Sequence, residues 1–559
     1  MSSKDSKFQS SEVRSENGAG GVSRRSVAKG AAWSVPVVAT AVSVPAFAAS
    51  ACDPSTYTIN FLPVGSVPAP GYSFPNEDGL LSVQVTAPAD CPAITGNVVL
   101  TVLSNNANFT TKDTGPNTIT IPLNGAGVAT FGTVDSGNPL FLACGLKPGD
   151  HVTVHAQVEG TSVETSSGGN GADMQINIGN LYGWGGNGYG ENGTGLQRLT
   201  PVQVGANTPK NDWTAVSANK DAYTALGWSF ALDSSGDLYA IGYNNEGQLG
   251  LGDTTERNVF TKVDAPSGGG TWTNNISTSY SFSLALSSTG DLYVTGDNGT
   301  GQLGLGDTTS RSVFTKVDAP SGGGTWTAVS AGKNSSLALS STGDLYATGY
   351  NNDGELGLGD TTERNSFTKV DAPSGGGTWT AVGSGNRDYS SSFSFSLALS
   401  STGDLYVTGD NSTGQLGLGD TTNRSVFTKV DAPSGGGTWV SIKVGFYGSS
   451  LALSSTGDLY GTGWNSNGEL GLGDTTERHV FTKVAAPSGG GTWTAVSTTR
   501  GSSLALSSTG DIYGTGGNYT GLLGLGDTNY RSVFTKQDGC PMWKAIEIGN
   551  VQSFGLAKD

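Results

Sequence analysis

The stretch SLALSSTGDLYVTGDNGTGQLGLGDTTSRSVFTKVDAPSGGGTW, from Ser283 to Trp326, decides the reading of this chain, because it returns nearly intact or degraded until the sequence ends. Working outward from its central tyrosine, equivalent residues fall at Tyr182, Tyr239, Tyr293, Tyr346, Tyr406, Tyr460 and Tyr513, between 53 and 60 residues apart. Each unit carries short runs such as Ser-Leu-Ala-Leu and Asp-Leu-Tyr-Val, broken by Ser-Ser-Thr-Gly-Asp, Gly-Gly-Gly and Gly-Asp-Thr-Thr. Alternation with a period of two predicts strands, and the Gly, Ser and Asp clusters predict tight turns. A unit of about 50 residues made only of strands buries its sheet faces against its neighbours. The predicted architecture is therefore all-β, with a seven-bladed β-propeller over residues 179–559.

The ends of the array predict how the ring closes. Residues 543–557, WKAIEIGNVQSFGLA, read as the first half of a unit, and residues 180–195, NLYGWGGNGYGENGTG, read as the second half. Sharing one blade between the two ends removes the exposed sheet edges of an open array. Trp213, Trp272, Trp326, Trp379, Trp439, Trp493 and Trp543 match the seven tyrosines only under this closure.

Residues 1–48 read as a twin-arginine signal peptide. Ser23-Arg24-Arg25-Ser26-Val27-Ala28-Lys29 precedes a mildly apolar run from Ala31 to Val44 and an Ala46-Phe47-Ala48 cleavage site. A run of about 14 residues is too short to span a bilayer. Cys52 follows Ala49-Ser50-Ala51 without the Leu expected of a lipoprotein. The chain is thus expected to be secreted or otherwise extracytoplasmic, the cell surface included.

Residues 49–160 read as an immunoglobulin-like β-sandwich, with alternating segments at Leu81 to Val85, Val98 to Leu103, Thr118 to Leu123 and His151 to Val158. Residues 161–178, rich in Ser and Gly at first, read as a linker. Cys91 and Cys144 are candidates for a disulfide within the sandwich, which leaves Cys52 and Cys540 to join the N-terminal segment to the last blade. Four cysteines allow three pairings, and the sequence does not choose among them.

Charge narrows the partners. The chain holds 29 basic and 46 acidic residues; without residues 1–48, which carry six basic and three acidic ones, 23 stand against 43, a net −20. Such a surface disfavours nucleic acid and anionic lipid. No membrane insertion is expected, and the protein is read as a monomer. His151 and His155 sit about 13 Å apart along a strand, too far to share a zinc ion. The Asp-Asn-Gly-Thr-Gly at Asp297 and Asp-Asn-Ser-Thr-Gly at Asp410 lack the carboxylate spacing of known calcium loops and read better as turns. Nucleophile elbows, Cys-x-x-Cys pairs, phosphate loops and dinucleotide fingerprints are missing, so no cofactor and no enzymatic activity are expected.

The frame Trp-x-x-h-x-x-G-x-x-x-S-h-A-L-x-x-x-G-D-h-Y-x-x-G-x-N-x-x-G-x-L-G-x-G-D, h being apolar, resembles the regulator of chromosome condensation repeat, whose members form seven-bladed propellers. The His common before the S-h-A-L step in that family is absent here, and no unit carries the wedge-like insertion that the family's nucleotide exchange factor uses, so exchange activity is not carried over.

Against this constant frame, the residue before the repeated Asn varies: Gly186, Tyr243, Asp297, Tyr350, Asp410, Trp464, Gly517. A second variable segment lies between each Trp and the S-h-A-L run and includes Trp228, Phe282, Tyr447 and Arg500. Large aromatics with Asp or Arg on a rigid scaffold suit recognition. The chain is similar in setting to secreted β-lactamase inhibitors built on this repeat. That resemblance implies binding through Tyr243, Asp297, Tyr350, Asp410 and Trp464, with Trp228, Phe282 and Tyr447 nearby. The expected function is non-catalytic binding of an extracellular protein; a carbohydrate or cell-wall binding module and a structural surface protein are the alternatives.

Overall fold

The computed structural model describes residues 57–61, 81–87, 97–103, 107–109, 118–124, 128–131, 140–142, 151–158, 174–177, 180–185, 198–204, 212–219, 227–386, 394–539 and 543–558. The twin-arginine segment, Gly186 and all four cysteines, Cys52, Cys91, Cys144 and Cys540, lie outside them. Among the described residues there are strands and turns and no helix, and hence no helix long and apolar enough to cross a membrane.

Each repeat folds into one antiparallel sheet whose strands follow sequence order. In the unit that begins at Trp326 these are Trp326–Ala331, Ser335–Ser340, Leu345–Gly349 and Arg364–Lys369. Six such sheets follow one another from Trp213 to Lys536. A seventh is assembled from both ends of the array: Leu181–Gly185 pairs with Gln552–Ala557 in the register Leu181↔Leu556 to Gly185↔Gln552, and Trp543–Ile548 and Arg198–Gln203 flank them. The Trp strands touch one another in succession, and Trp543–Ile548 also touches Trp213–Ala218. This is a β-propeller arrangement with the Trp strands innermost.

Aromatic residues weld each sheet to the one before it. Trp326 meets Tyr346 edge-on at 5.3 Å between ring centroids and Phe367 at 5.3 Å. This trio packs on Phe282, Leu284, Leu292, Val294, Leu303 and Val317 of the preceding sheet. The polar ends of the rings are satisfied: Trp326 Nε1 donates to Asp318 O at 3.1 Å, and Tyr346 Oη accepts from Gly322 N at 2.8 Å. The same contacts recur around the array, including Trp543 with Tyr182 at 5.6 Å where the two chain ends meet.

The Ser-Leu-Ala-Leu-Ser strands differ from a half-buried reading. Ser335–Ser340 is buried at every position, because sheets stack on both of its faces. Two polar positions of this unit find partners inside, Ser336 Oγ donating to Gln302 O at 2.7 Å and Thr348 Oγ1 on the next strand to Gly301 O at 2.9 Å, whereas Ser335 Oγ has none among the described residues. A buried hydroxyl with a carbonyl partner avoids the desolvation penalty of an unpaired one.

The earlier part of the chain forms a three-stranded sheet of Thr58–Phe61, Leu81–Thr86 and Val128–Phe131, and a four-stranded sheet of Thr118–Pro122, Asn97–Val102, His151–Val158 and Met174–Asn177. Ile59, Val83, Val98, Leu100, Val152 and Val154 are buried. Met174–Asn177 falls within the expected linker but is a strand, in the register His151↔Asn177 to Val154↔Met174. Its Met and Ile supply the alternation that a Ser/Gly count overlooks.

Candidate functional site: the variable-loop face

Antiparallel order fixes which loops share a side. The loop after each Trp strand and the loop before each outer strand emerge at one edge of the sheet, and the constant Ser-Ser-Thr-Gly-Asp turns emerge at the other. Both variable segments of the sequence therefore lie on one face. Backbone bonds tie them together: Tyr350 N donates to Asn334 O at 2.9 Å, Tyr243 N to Gly227 O at 2.9 Å, and Trp464 N to Gly448 O at 2.9 Å. The glycine before each variable residue is required here. Gly349 has φ +99°, and a Cβ on it would lie 2.3 Å from Asn334 O.

The repeated Asn holds each loop from within. Asn351 is fully buried; its Oδ1 accepts from Leu356 N at 3.0 Å, and its Nδ2 donates to Asp360 O at 3.0 Å and Thr362 O at 3.1 Å. Side-chain bonds of this kind replace a ladder where the backbone leaves the sheet.

The structure divides the predicted residues into two groups. Tyr243, Asp297, Tyr350, Trp464 and Tyr447 are half-buried on the loop face. Trp228, Phe282 and Asp410 are corrections. Trp228 and Phe282 are 1% and 0% exposed and packed in the core between sheets, so their rings offer a partner no surface. Asp410 is 1% exposed and serves its own turn, accepting from Ser412 Oγ at 2.9 Å and from Gln415 Nε2. Asp297 is used similarly, accepting from Gly299 N at 3.1 Å and Gln302 Nε2 at 2.8 Å. Tyr350 Oη accepts from Asn352 Nδ2 at 2.6 Å.

The densest group on this face spans two neighbouring units. The Arg500 guanidinium lies 4.4 Å from the Tyr447 ring centroid, a stacked cation–π geometry. Tyr447 itself has φ +86°, the sole left-handed residue other than glycine among the described residues. Tyr519 and Tyr530 lie on the same face, in the loop before the outer strand of the unit that holds Arg500, each 55% exposed. Packing holds the Tyr519 hydroxyl above the usual phenol range; Arg500 pulls it down and Tyr530 pushes it up, which puts all three within electrostatic reach. A related pair, Lys333 over Tyr280 at 5.9 Å, joins two other units, but Lys333 is only 7% exposed. Tyr519 and Tyr530 were absent from the predicted set. Their signal was a departure from the frame, Asn-Tyr-Thr-Gly against Asn-Gly-Thr-Gly and Asn-Tyr-Arg against Thr-Ser-Arg.

Beneath the variable residues lies a buried position held by Gln248, Gln302, Glu355, Gln415 and Glu469, all 0% exposed. Where the variable residue is Asp, the glutamine donates to it. Beside Tyr243 that acceptor is missing and Gln248 Nε2 has no partner among the described residues; beside Tyr350 and Trp464 the position is a glutamate, and Glu355 Oε1 and Glu469 Oε1 receive no donor among them either. Burial pushes the Glu355 carboxyl far above the carboxylate range, helped by Asp353 and Asp410, and pushes Glu469 up to about 7. No group of three or more His, Cys, Asp or Glu able to hold a metal occurs among the described residues.

Comparisons with known proteins agree with this geometry. The regulator of chromosome condensation (RCC1) repeat model matches residues 235–286 and 289–339, and a second RCC1 repeat model matches 274–302, 326–355 and 389–415. The Ultraviolet-B receptor UVR8 of Arabidopsis thaliana is 31% identical over 299 residues, 53% of this chain and 65% of that protein. The X-linked retinitis pigmentosa GTPase regulator of Homo sapiens is 36% identical over 148 residues, 26% of this chain and 14% of that protein. The chain thus spans less than two thirds of the length of either relative. Among solved structures, human WBSCR16 aligns with a TM-score of 0.58 at 19% identity, over 68% of this chain and 99% of that one. Yeast RCC1 (Prp20), bound to Kap60, aligns with a TM-score of 0.56 at 19% identity, over 68% and 89%. At such identities the structures speak for the fold alone. The chain thus carries regulator of chromosome condensation repeats over residues 235–355 and 389–415.

Proposed function

We propose that this protein is a secreted, non-catalytic binding protein whose variable-loop face engages an extracellular protein. The observation that carries the reading is the cluster of Tyr447, Arg500, Tyr519 and Tyr530 on one face. Exposed tyrosines and a stacked arginine are the residue types that dominate protein-binding hot spots. Yeast RCC1, a structural neighbour, is seen bound to a protein, Kap60, which supports the same general use of the fold. In this reading the seven sheets form a seven-bladed ring closed by the C-terminal strands. Residues 49–160 are an immunoglobulin-like sandwich stapled by its cysteines, and residues 1–48 direct twin-arginine export of a monomer. The net −20 of the chain without that leader supports a protein rather than nucleic acid as the partner.

The test is capture from the organism's secreted and envelope fractions on the immobilised chain, with the retained material divided by protease treatment. A retained component that protease destroys supports the proposal. Retention of protease-resistant polysaccharide would point instead to a glycan-binding module, and a bare column to a structural role.

A further inference from the structure

In five units the turn that carries the variable residue is closed from within by one buried side chain. Gln248 Oε1 accepts from Glu246 N at 3.0 Å, Gln302 Oε1 from Thr300 N at 2.9 Å, and Gln415 Oε1 from Thr413 N at 2.9 Å. Glu355 and Glu469 make the same bond through Oε2, from Asp353 N at 3.1 Å and Asn467 N at 2.9 Å. The other atom of the side-chain fork aims at the variable residue, as the glutamine bonds to Asp297 and Asp410 show. In the two glutamate units that atom is Oε1, set beneath Tyr350 and Trp464 and without a partner among the described residues.

A neutral carboxylic acid has the shape of a glutamine amide and seats here as the glutamines do. An ionised one would place a charge at 0% exposure with backbone N–H groups alone to hold it, a costly arrangement. The neighbouring unit packs closely on both turns: a Cβ on Gly409 would stand 3.2 Å from the Glu355 Cα, and Ser503 Oγ donates to Glu469 O at 2.9 Å. The charged groups that act on Glu355 are Asp353 of its own turn and Asp410 of the next unit, both anions that oppose its ionisation. Burial alone raises the Glu469 carboxyl, to about 7, with no other charged group contributing. Water hydrates either carboxylate only if the turn opens, and each turn carries an aromatic residue of the loop face.

We propose that Glu355 and Glu469 are proton-operated latches, which seat Tyr350 and Trp464 on the loop face when protonated and release them when ionised. As regulation of a binding surface, this rests on the reading of that face given above. The drive to open grows as pH rises above the ordinary carboxylate range and is complete near 7 for Glu469.

The test follows amide hydrogen exchange of the full chain between pH 5 and pH 8, with rates divided by their intrinsic values. In the parent, exchange of residues 464–471 should rise at least about tenfold, the factor that one pH unit of linkage supplies. Glu469→Gln should hold those residues at their acid rate throughout, and Glu355→Gln should do the same for residues 350–357. Residues 297–304, closed by Gln302, should not respond in any of the three proteins. Glutamine fills this position in three other units, and melting curves at pH 5 that match the parent would show both variants folded. In 5-fluorotryptophan-labelled protein, the Trp464 resonance, identified by its absence from Trp464→Phe, should move or broaden over the same range and stay fixed in Glu469→Gln. Flat exchange in the parent, or a rise that survives Glu469→Gln, would overturn the proposal. So would a Trp464 resonance that titrates without faster exchange, since the carboxyl would then ionise in place. These readouts need no partner, so their failure leaves the binding reading standing, and an empty capture column leaves the latch standing.

Discussion

Glu355 and Glu469 occupy a buried position that three other units fill with glutamine, and each leaves one carboxylate oxygen without a partner. Desolvation favours the neutral acid in the folded state, so both groups hold their protons to higher pH than in the unfolded chain. A raised folded pKa contributes stability that is present below the unfolded value and is lost as pH climbs through the folded one. For Glu469 that window runs from about 4.5 to about 7. Linkage over such a shift is worth roughly 3 kcal/mol. Urea melts of Glu469→Gln should therefore lose less stability than the parent between about pH 5 and pH 8. Parallel pH profiles for the two proteins would show that the carboxyl is not buried as described. The same scale explains which site residues the sequence misjudged. Trp228 and Phe282 stand at the start of strands that become sandwiched between sheets, and a variable residue looks alike in sequence whether it faces solvent or core. Tyr519 and Tyr530 were legible as departures from the frame, but their exposure and their approach to Arg500 depend on how the loops pack.

The blade is the scale at which the sequence was most readable. Positions repeated at fixed spacing turned out to be the mechanical parts: the Trp–Tyr–Phe wedge between sheets, the buried Asn of each loop, and the positive-φ glycines. Short alternating runs marked the strands correctly, but alternation suggested one wet face where both faces are covered. Ser283, Ser336, Ser450 and Ser503, which look solvent-facing in sequence, bond to carbonyls of the neighbouring unit, a partner that only the assembled array provides. Asn351→Ala would remove the acceptor for Leu356 N and leave the carbonyls of Asp360 and Thr362 short of a donor. Leaving such groups unpaired costs about 1–3 kcal/mol. Equilibrium unfolding should show that loss. An unchanged midpoint would mean that the loop is held by its backbone turns alone.

At the scale of the molecule, one sheet borrows Trp543–Ile548 and Gln552–Ala557 from the far end of the chain. Deleting residues 543–559 would strip Leu181–Gly185 of its partner and expose Tyr182 and Trp184, both now fully buried. Unpaired edges and bare aromatics favour aggregation, so the truncated chain should melt far below the parent or precipitate. Equal melting curves would contradict closure by these strands. What the sequence could not supply at this scale was the juxtaposition of loops from different units. Tyr447 and Arg500 are 53 residues apart in the chain and become neighbours only because successive sheets stack side by side.

That juxtaposition on one face is the central claim, and comparing the two faces tests it most directly. One variant would carry Arg500→Ala, Tyr519→Ala and Tyr530→Ala on the loop face; another would carry Thr342→Ala, Thr402→Ala and Thr456→Ala in exposed turns at the opposite edge. With the captured protein partner and both variants shown to be folded, affinity should fall at least about 2 kcal/mol for the first, the cost of a single hot-spot residue, and stay near that of the parent for the second. Full affinity in the loop variant, or loss confined to the turn variant, would show that recognition lies elsewhere.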